Sequence, residues 1–114
     1  MTDPEAHRLA DLMATIEDRK ANPPAKSYTT TLFAGGVQKI GAKITEEAAE
    51  VVEAAGEPDE AGRAHLIREA ADLIYHLFVM LAQRDVRLAE VEAELARRSG
   101  TSGLDEKASR SKPQ

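Results

Sequence analysis

Residues 43–56 read KITEEAAEVVEAAG, and how this stretch is wound decides what the chain can be. At ~100° per residue, Ile40, Ile44 and Val51 fall in a narrow arc of one helix, flanked by Val37, Ala48 and Ala55. Glu47 falls inside that arc, because 40, 44, 47 and 51 follow the spacing of a core stripe. Burying an isolated carboxylate costs several kcal/mol, so a purely structural helix would carry Leu at this position. Glu50 and Lys43 lie along one edge of the same stripe, with Glu46 a little further round.

Working outward, the second helix is expected to run from about Val37 to Ala55 and to stop at Gly56 and Pro58. A third is expected from Asp59 or Glu60 to about Arg84, with an apolar stripe of Leu66, Ala70, Leu73, Leu77 and Met80. Its centre, AADLIYHLFVMLA, is apolar nearly all round, which predicts burial on most sides. Upstream, Asp3-Pro4 is a good helix start, and Leu9, Leu12, Met13 and Ile16 recur at helical spacing to about Lys20. Pro23 and Pro24 break that helix, and SYTTTLFAGG (27–36) reads as a short ordered segment ending at Gly35-Gly36. A short last helix holds Leu88, Val91 and Leu95, and residues 99–114 read as a disordered polar tail after a domain spanning 1–98.

The expected architecture is therefore an all-α antiparallel bundle with helices two and three as a central hairpin. Twenty alanines and the absence of any period-two strand pattern support it. With 114 residues, two Tyr, two Phe and no Trp, the core is thin, and completion by dimerisation is expected.

Composition removes several functions. A net charge of −5 argues against general nucleic-acid binding, which needs a basic footprint. No cysteine means no disulfide, thiolate zinc site or cysteine nucleophile. No apolar run approaches the ~20 residues of a membrane span, and MTDPEAHRLADLM has neither the basic start nor the apolar segment of a signal peptide. A soluble cytoplasmic protein is the expectation.

The third helix repeats the anomaly of the second. Glu69, Asp72 and His76 share one edge of its stripe, within roughly 60°. Two helices joined by a short loop thus each offer an i, i+3 carboxylate pair, Glu47/Glu50 and Glu69/Asp72, with 18 residues between Glu50 and Glu69. Carboxylates converging at a half-buried place repel unless a cation offsets them. Mg²⁺ suits an all-oxygen set at about 2.0–2.1 Å and shares its sphere with substrate phosphates. Zinc is disfavoured by the lack of Cys, and di-iron by the offset of His76. The plain alternative is a solvated acidic face, with Lys43 pairing Glu47 at i, i+4.

The motifs EEAAE (46–50) and EAAD (69–72) resemble the paired acidic motifs of the all-α nucleoside triphosphate pyrophosphohydrolases, the MazG-like superfamily. SYTTTLFAGG (27–36), KIGAKITEEAAEVV (39–52) and REAADLIYHLFVMLAQRDV (68–86) narrow the resemblance to the phosphoribosyl-ATP pyrophosphohydrolase family, over nearly all of the chain up to about Arg98. That resemblance implies hydrolysis of phosphoribosyl-ATP to phosphoribosyl-AMP and pyrophosphate, the second step of histidine biosynthesis. It implies Glu47, Glu50, Glu69 and Asp72 as ligands of Mg²⁺, with Mn²⁺ as an alternative. Glu46 and Glu47 are the expected catalytic carboxylates, Glu46 either holding or activating water or joining the metal shell. Lys39, Lys43, Ser27, Tyr28, Thr29 and His76 match substrate-binding positions, His76 being equally well read as a structural residue. The partners implied are a nucleotide substrate and a second copy of the chain, with no nucleic acid and no membrane. One departure is Thr45, where related sequences often read Gly; it lies away from the acid edge. The rival readings are a house-cleaning pyrophosphohydrolase of free nucleotides such as dUTP or dCTP, and a helical interaction module without catalysis.

Overall fold

The computed structural model describes residues 7–99 together with 103, 107, 108 and 110. It contains four helices in order, α1 (Arg8–Ala21), α2 (Tyr28–Ala55), α3 (Asp59–Gln83) and α4 (Leu88–Arg97), and no strand among the described residues. The predicted start at Asp3-Pro4 and most of the predicted polar tail lie outside the described residues.

Helix α2 is longer than its sequence pattern suggests. Ser27 is its N-cap, and its side chain accepts a hydrogen bond from the Thr30 amide at 3.3 Å, so the SYTTTLFA segment is fully helical rather than a short separate piece. The two parts meet at Gly36, whose φ of 71° and ψ of −166° belong to a region that is essentially glycine's alone. Gly36 therefore kinks α2 without ending it. Only three residues, 56–58, separate α2 from α3. The pairs that meet across the hairpin, Tyr28 with His76 and Glu50 with Glu69, run in opposite order, so the helices are antiparallel, as expected.

The core lies where α1 crosses the open end of this hairpin. It comprises Met13 and Ile16 of α1, Leu32 and Ile40 of α2, and Phe78, Val79 and Ala82 of α3, with Leu12, Phe33, Ile44, Tyr75 and Leu88 packed around it. Complete burial of Ile16, Leu32, Ile40 and Val79 is worth roughly 1.5–3 kcal/mol per side chain. Lys20, in the last turn of α1, fixes the crossing: its ammonium donates to the carbonyl of Ala82 at 2.8 Å and to Asp85 Oδ1 at 2.8 Å. A cation thereby meets the last carbonyls at the negative end of α3, Ala82's also accepting from the Asp85 amide at 3.0 Å. Arg87 pairs Glu17 of α1 at 3.1 Å, tying the start of α4 to the same helix.

The stripe predicted for α3 needs correction. Its buried line is His76, Phe78, Val79 and Ala82, whereas Leu77 is 44% exposed. Because α3 packs on α2 and α1 from one side only, Ile67, Ile74 and Leu77 remain on the open face of the single chain. Leu9 of α1 and Val37 of α2, read as core-facing, are also about half exposed, at 53% and 49%.

Candidate functional site

Glu47 is buried, at 8% exposure, in the apolar line of α2 where the periodicity placed it. Across the hairpin, Glu69 of α3 and Glu50 of α2 complete a trio in which one oxygen from each residue lies within 4.8 Å of the others. Glu47 Oε2 and Glu69 Oε2 are both buried and have no hydrogen-bond partner. Burial is the main cause that holds the Glu47 carboxyl above its ordinary range, with the charges of Asp72 and Glu50 adding to it and contact with Glu69 partly offsetting it. Contact with Glu69 is the largest cause raising Glu50, followed by partial burial and the charges of Glu69 and Glu46. Two orphaned carboxylate oxygens in one such trio are unfavourable on their own and are what a hard cation would satisfy.

Asp72 stands outside this trio with an exposed side chain, close enough for its charge to act on Glu47. Its backbone is engaged instead. The Asp72 carbonyl accepts from His76 Nδ1 at 2.9 Å, which leaves His76 Nε2 to accept from the Tyr28 hydroxyl, also at 2.9 Å. His76 is thus buried and satisfied at both nitrogens, with Nδ1 4.0 Å from Glu47 Oε1. It joins the N-terminal turn of α2 to the edge of the acid cluster, a link between residues 48 positions apart.

The other predicted residues fall around the cluster. Glu46 is exposed and pairs Lys43 at 3.5 Å. That carboxylate is the main cause holding Lys43 above its ordinary value. Tyr28 is half exposed, and its hydroxyl is raised first by burial, with Lys43 acting against it and Tyr75, Glu47 and Glu46 acting with it. Its ring stacks on Tyr75 at 6.3 Å, and both rings meet His76 edge-on. Thr29 is buried and its hydroxyl bonds that of Tyr75. Ser27 is occupied as the cap of α2. Lys39 is exposed, with its aliphatic stem lying over Gly35.

One participant escaped the sequence reading. His65 sits between Glu57 Oε1 at 2.9 Å and Glu69 Oε1 at 3.3 Å. The hydrogen bond with Glu57 is the largest cause raising its pKa; the charges of Glu57 and Glu69 add to it, against desolvation. Glu57 is brought there by Gly62, which lies so close to the Glu57 backbone that any Cβ would collide with it. The i, i+4 spacing of His65 and Glu69 was visible in the sequence, whereas the return of the loop onto α3 was not. With Oε1 of Glu69 held by His65, its Oε2 is left buried and without a partner.

The model of the family described as phosphoribosyl-ATP pyrophosphohydrolase matches residues 9–99. A protein named phosphoribosyl-ATP pyrophosphatase from Rhodopirellula baltica is 63% identical over 102 residues, covering 90% of this chain and 85% of that one. Proteins of the same name from Rhodobacter capsulatus and Novosphingobium aromaticivorans are 55% and 54% identical over 102 and 103 residues, each covering 90% of this chain and 96% and 94% of their own lengths. The resemblance read from the acidic pairs and the SYTTTLFAGG segment thus extends over both helices of the hairpin and over α1 and α4 as well. On that match the chain belongs to the phosphoribosyl-ATP pyrophosphohydrolase family.

Proposed function

We propose that the chain hydrolyses phosphoribosyl-ATP to phosphoribosyl-AMP and pyrophosphate, the second step of histidine biosynthesis, with Mg²⁺ (or Mn²⁺) held by Glu47, Glu50 and Glu69 and with Asp72 at the rim. The observation that carries the reading is the pair of buried, unpartnered oxygens of Glu47 and Glu69 beside Glu50. A solvated acidic face, as the interaction-module reading requires, would leave those oxygens in water. Family membership and relatives named for this activity support the choice of substrate.

When bound, the cation supplies positive charge to the triphosphate oxygens as the anhydride breaks. The chain's own residues do the rest. Glu47, Glu50 and Glu69 present oxygens from two rigid helices, and His65 keeps Glu69 turned toward them. Lys43 is paired with Glu46 at 3.5 Å in the free protein. An arriving triphosphate takes over the ammonium, and Lys39 adds a second positive charge on the same helix. That exchange frees the Glu46 carboxylate to hold a water molecule and accept its proton. The water oxygen adds to a phosphorus of the α–β anhydride, the bridging bond breaks, and pyrophosphate leaves. Tyr28, Thr29 and Ser27 at the start of α2 line the approach, and the bond from Tyr28 to His76 fixes that approach to the acid edge.

The open face of α3 carrying Ile67, Ile74 and Leu77, with Val37 and Val52 of α2 exposed as well, supports assembly as a homodimer. Sedimentation of wild type against Ile74→Glu and Leu77→Glu tests this, a monomeric wild type being the refuting result. Among the described residues no helix is long and apolar enough to cross a membrane, and a substrate made from ATP fits a cytoplasmic enzyme. The central test is pyrophosphate release from phosphoribosyl-ATP with and without Mg²⁺, run beside dUTP and dCTP. Faster release from either free nucleotide would overturn the substrate, and metal-independent release would overturn the site.

A further inference from the structure

Phosphoribosyl-ATP carries phosphate at two ends, a triphosphate and, on the added ribose, a phosphate monoester. The carboxylate cluster with its bound metal, together with Lys43 and Lys39, serves the first. The second needs its own cations, and a chain of net charge −5 has few to spare. A cavity of about 600 Å³ lies between α1 and the end of α3, but its cations are already committed, Lys20 to Asp85 at 2.8 Å and Arg87 to Glu17 at 3.1 Å. A second cavity, of about 450 Å³, lies between α1, the 22–27 loop and the first turn of α2. It differs in kind. Leu12 and Ile16 line it as a floor, Thr29 and Tyr75 as a wall, and its rim holds Arg19, half-buried, and Lys26, exposed. Among the described residues neither cation has a hydrogen-bonding or ion-pair partner. The start of α2 adds its partial positive charge on the same side.

The cavity also communicates with the acid cluster. Tyr75, in its wall, stacks on Tyr28 and meets His76 edge-on at 5.2 Å, and His76 Nδ1 is 4.0 Å from Glu47. A single layer of rings therefore separates an unpaired cationic pocket from the carboxylates. We propose that this cavity binds the phosphate monoester of the substrate's added ribose through Arg19 and Lys26, and that it is what distinguishes phosphoribosyl-ATP from a free nucleoside triphosphate. The assignment rests on the activity proposed above. A guanidinium offers a phosphate two parallel hydrogen bonds, and an ammonium a third contact.

The test compares wild type, Arg19→Gln, Lys26→Gln and Glu50→Gln. Arg19→Gln is expected to raise KM for phosphoribosyl-ATP by about ten- to a hundredfold, as loss of a charge-assisted contact should, with kcat nearly unchanged. Lys26→Gln should raise KM less, and Arg19→Lys should restore part of the loss. Ribose 5-phosphate, which carries only this monoester, should inhibit wild type competitively and Arg19→Gln not at all. Glu50→Gln should lose turnover with ribose 5-phosphate binding intact. Unchanged KM and unchanged ribose 5-phosphate inhibition in both cation variants would overturn the cavity assignment while leaving the activity standing. A wild-type protein without activity on phosphoribosyl-ATP would instead overturn the activity.

Discussion

Replacing Glu47 with Gln keeps the volume of the side chain and removes its charge. In wild type this carboxylate is 8% exposed and its Oε2 has no partner, and in the same trio Glu69 Oε2 has none either. An amide at this position can donate to Glu69, so one new hydrogen bond relieves two orphaned acceptors. An unsatisfied buried group costs about 1–3 kcal/mol. Glu50 is only half-buried and admits some water, so a gain of about 1.5 kcal/mol is the reasonable expectation, in the lower part of that range. For a domain of this size that is a rise of roughly 6–12 °C in melting temperature in EDTA. Saturating Mg²⁺ should reverse the order. At a hundred times its dissociation constant the cation stabilises wild type by about 2.7 kcal/mol, while the variant gains little. Pyrophosphate release should fall by roughly 100-fold or more. Paired melts in EDTA and in Mg²⁺, beside a release assay, check all three. A variant that melts below wild type in EDTA, or that Mg²⁺ stabilises equally, would refute the argument that this carboxylate is kept for a cation at the expense of the fold.

Three further outcomes are expected. Tyr28→Phe removes the donor to His76 Nε2, leaving a buried acceptor unpaired, and should cost about 1–2 kcal/mol in urea unfolding; an unchanged midpoint would contradict the link. Gly36→Ala forces a Cβ into φ 71° and ψ −166° and should cost about 1–3 kcal/mol, although nothing lies within 4 Å of the added carbon; a neutral result would mean that α2 tolerates a straight passage here. Lys20→Met should cost about 1 kcal/mol through the lost cap on Ala82. The hydrogen bond and charge of Lys20 hold Asp85 below its ordinary value of 3.8, so this pair stabilises the fold above that pH and its contribution is lost as pH falls through the lowered value. Thermal melts between pH 7 and pH 2 should therefore show a shallower acid limb in Lys20→Met than in wild type, and identical slopes would remove the pair from the acid response.

The helices were legible because their signals are local. Pro23-Pro24, Gly56-Pro58 and the 3.6-residue periodicity mark the breaks and the runs, and the ends of α1 and α2, the whole of α3 and the place of α4 stand near the positions so marked. The glycine pair at 35–36 misled, since the same residue type that ends a helix can also bend one through it. Glu47 was legible as a misfit between charge and position, and its burial agrees. The face of α3 was not. A helix apolar nearly all round carries no moment to say which side meets its partners, and the outcome, Phe78 and Val79 inside and Leu77 outside, is settled by where α1 crosses. His76 and Tyr28 pair across 48 residues and Glu57 with His65 across a folded-back loop, and neither distance can be read from spacing along one helix.

The acid trio draws every carboxylate oxygen from α2 and α3, which follow one another with only residues 56–58 between them. The Arg19 cavity, in contrast, exists only while α1 lies across that hairpin. The two ends of the substrate would therefore be gripped by parts of the chain that need not melt together. A cation alone protects the hairpin and leaves α1 free to lift, whereas a molecule reaching both places ties α1 down. Amide exchange in α1 should then slow on adding a two-ended phosphate ligand and stay unchanged with Mg²⁺ alone, making the first helix a reporter of which end of the substrate has arrived.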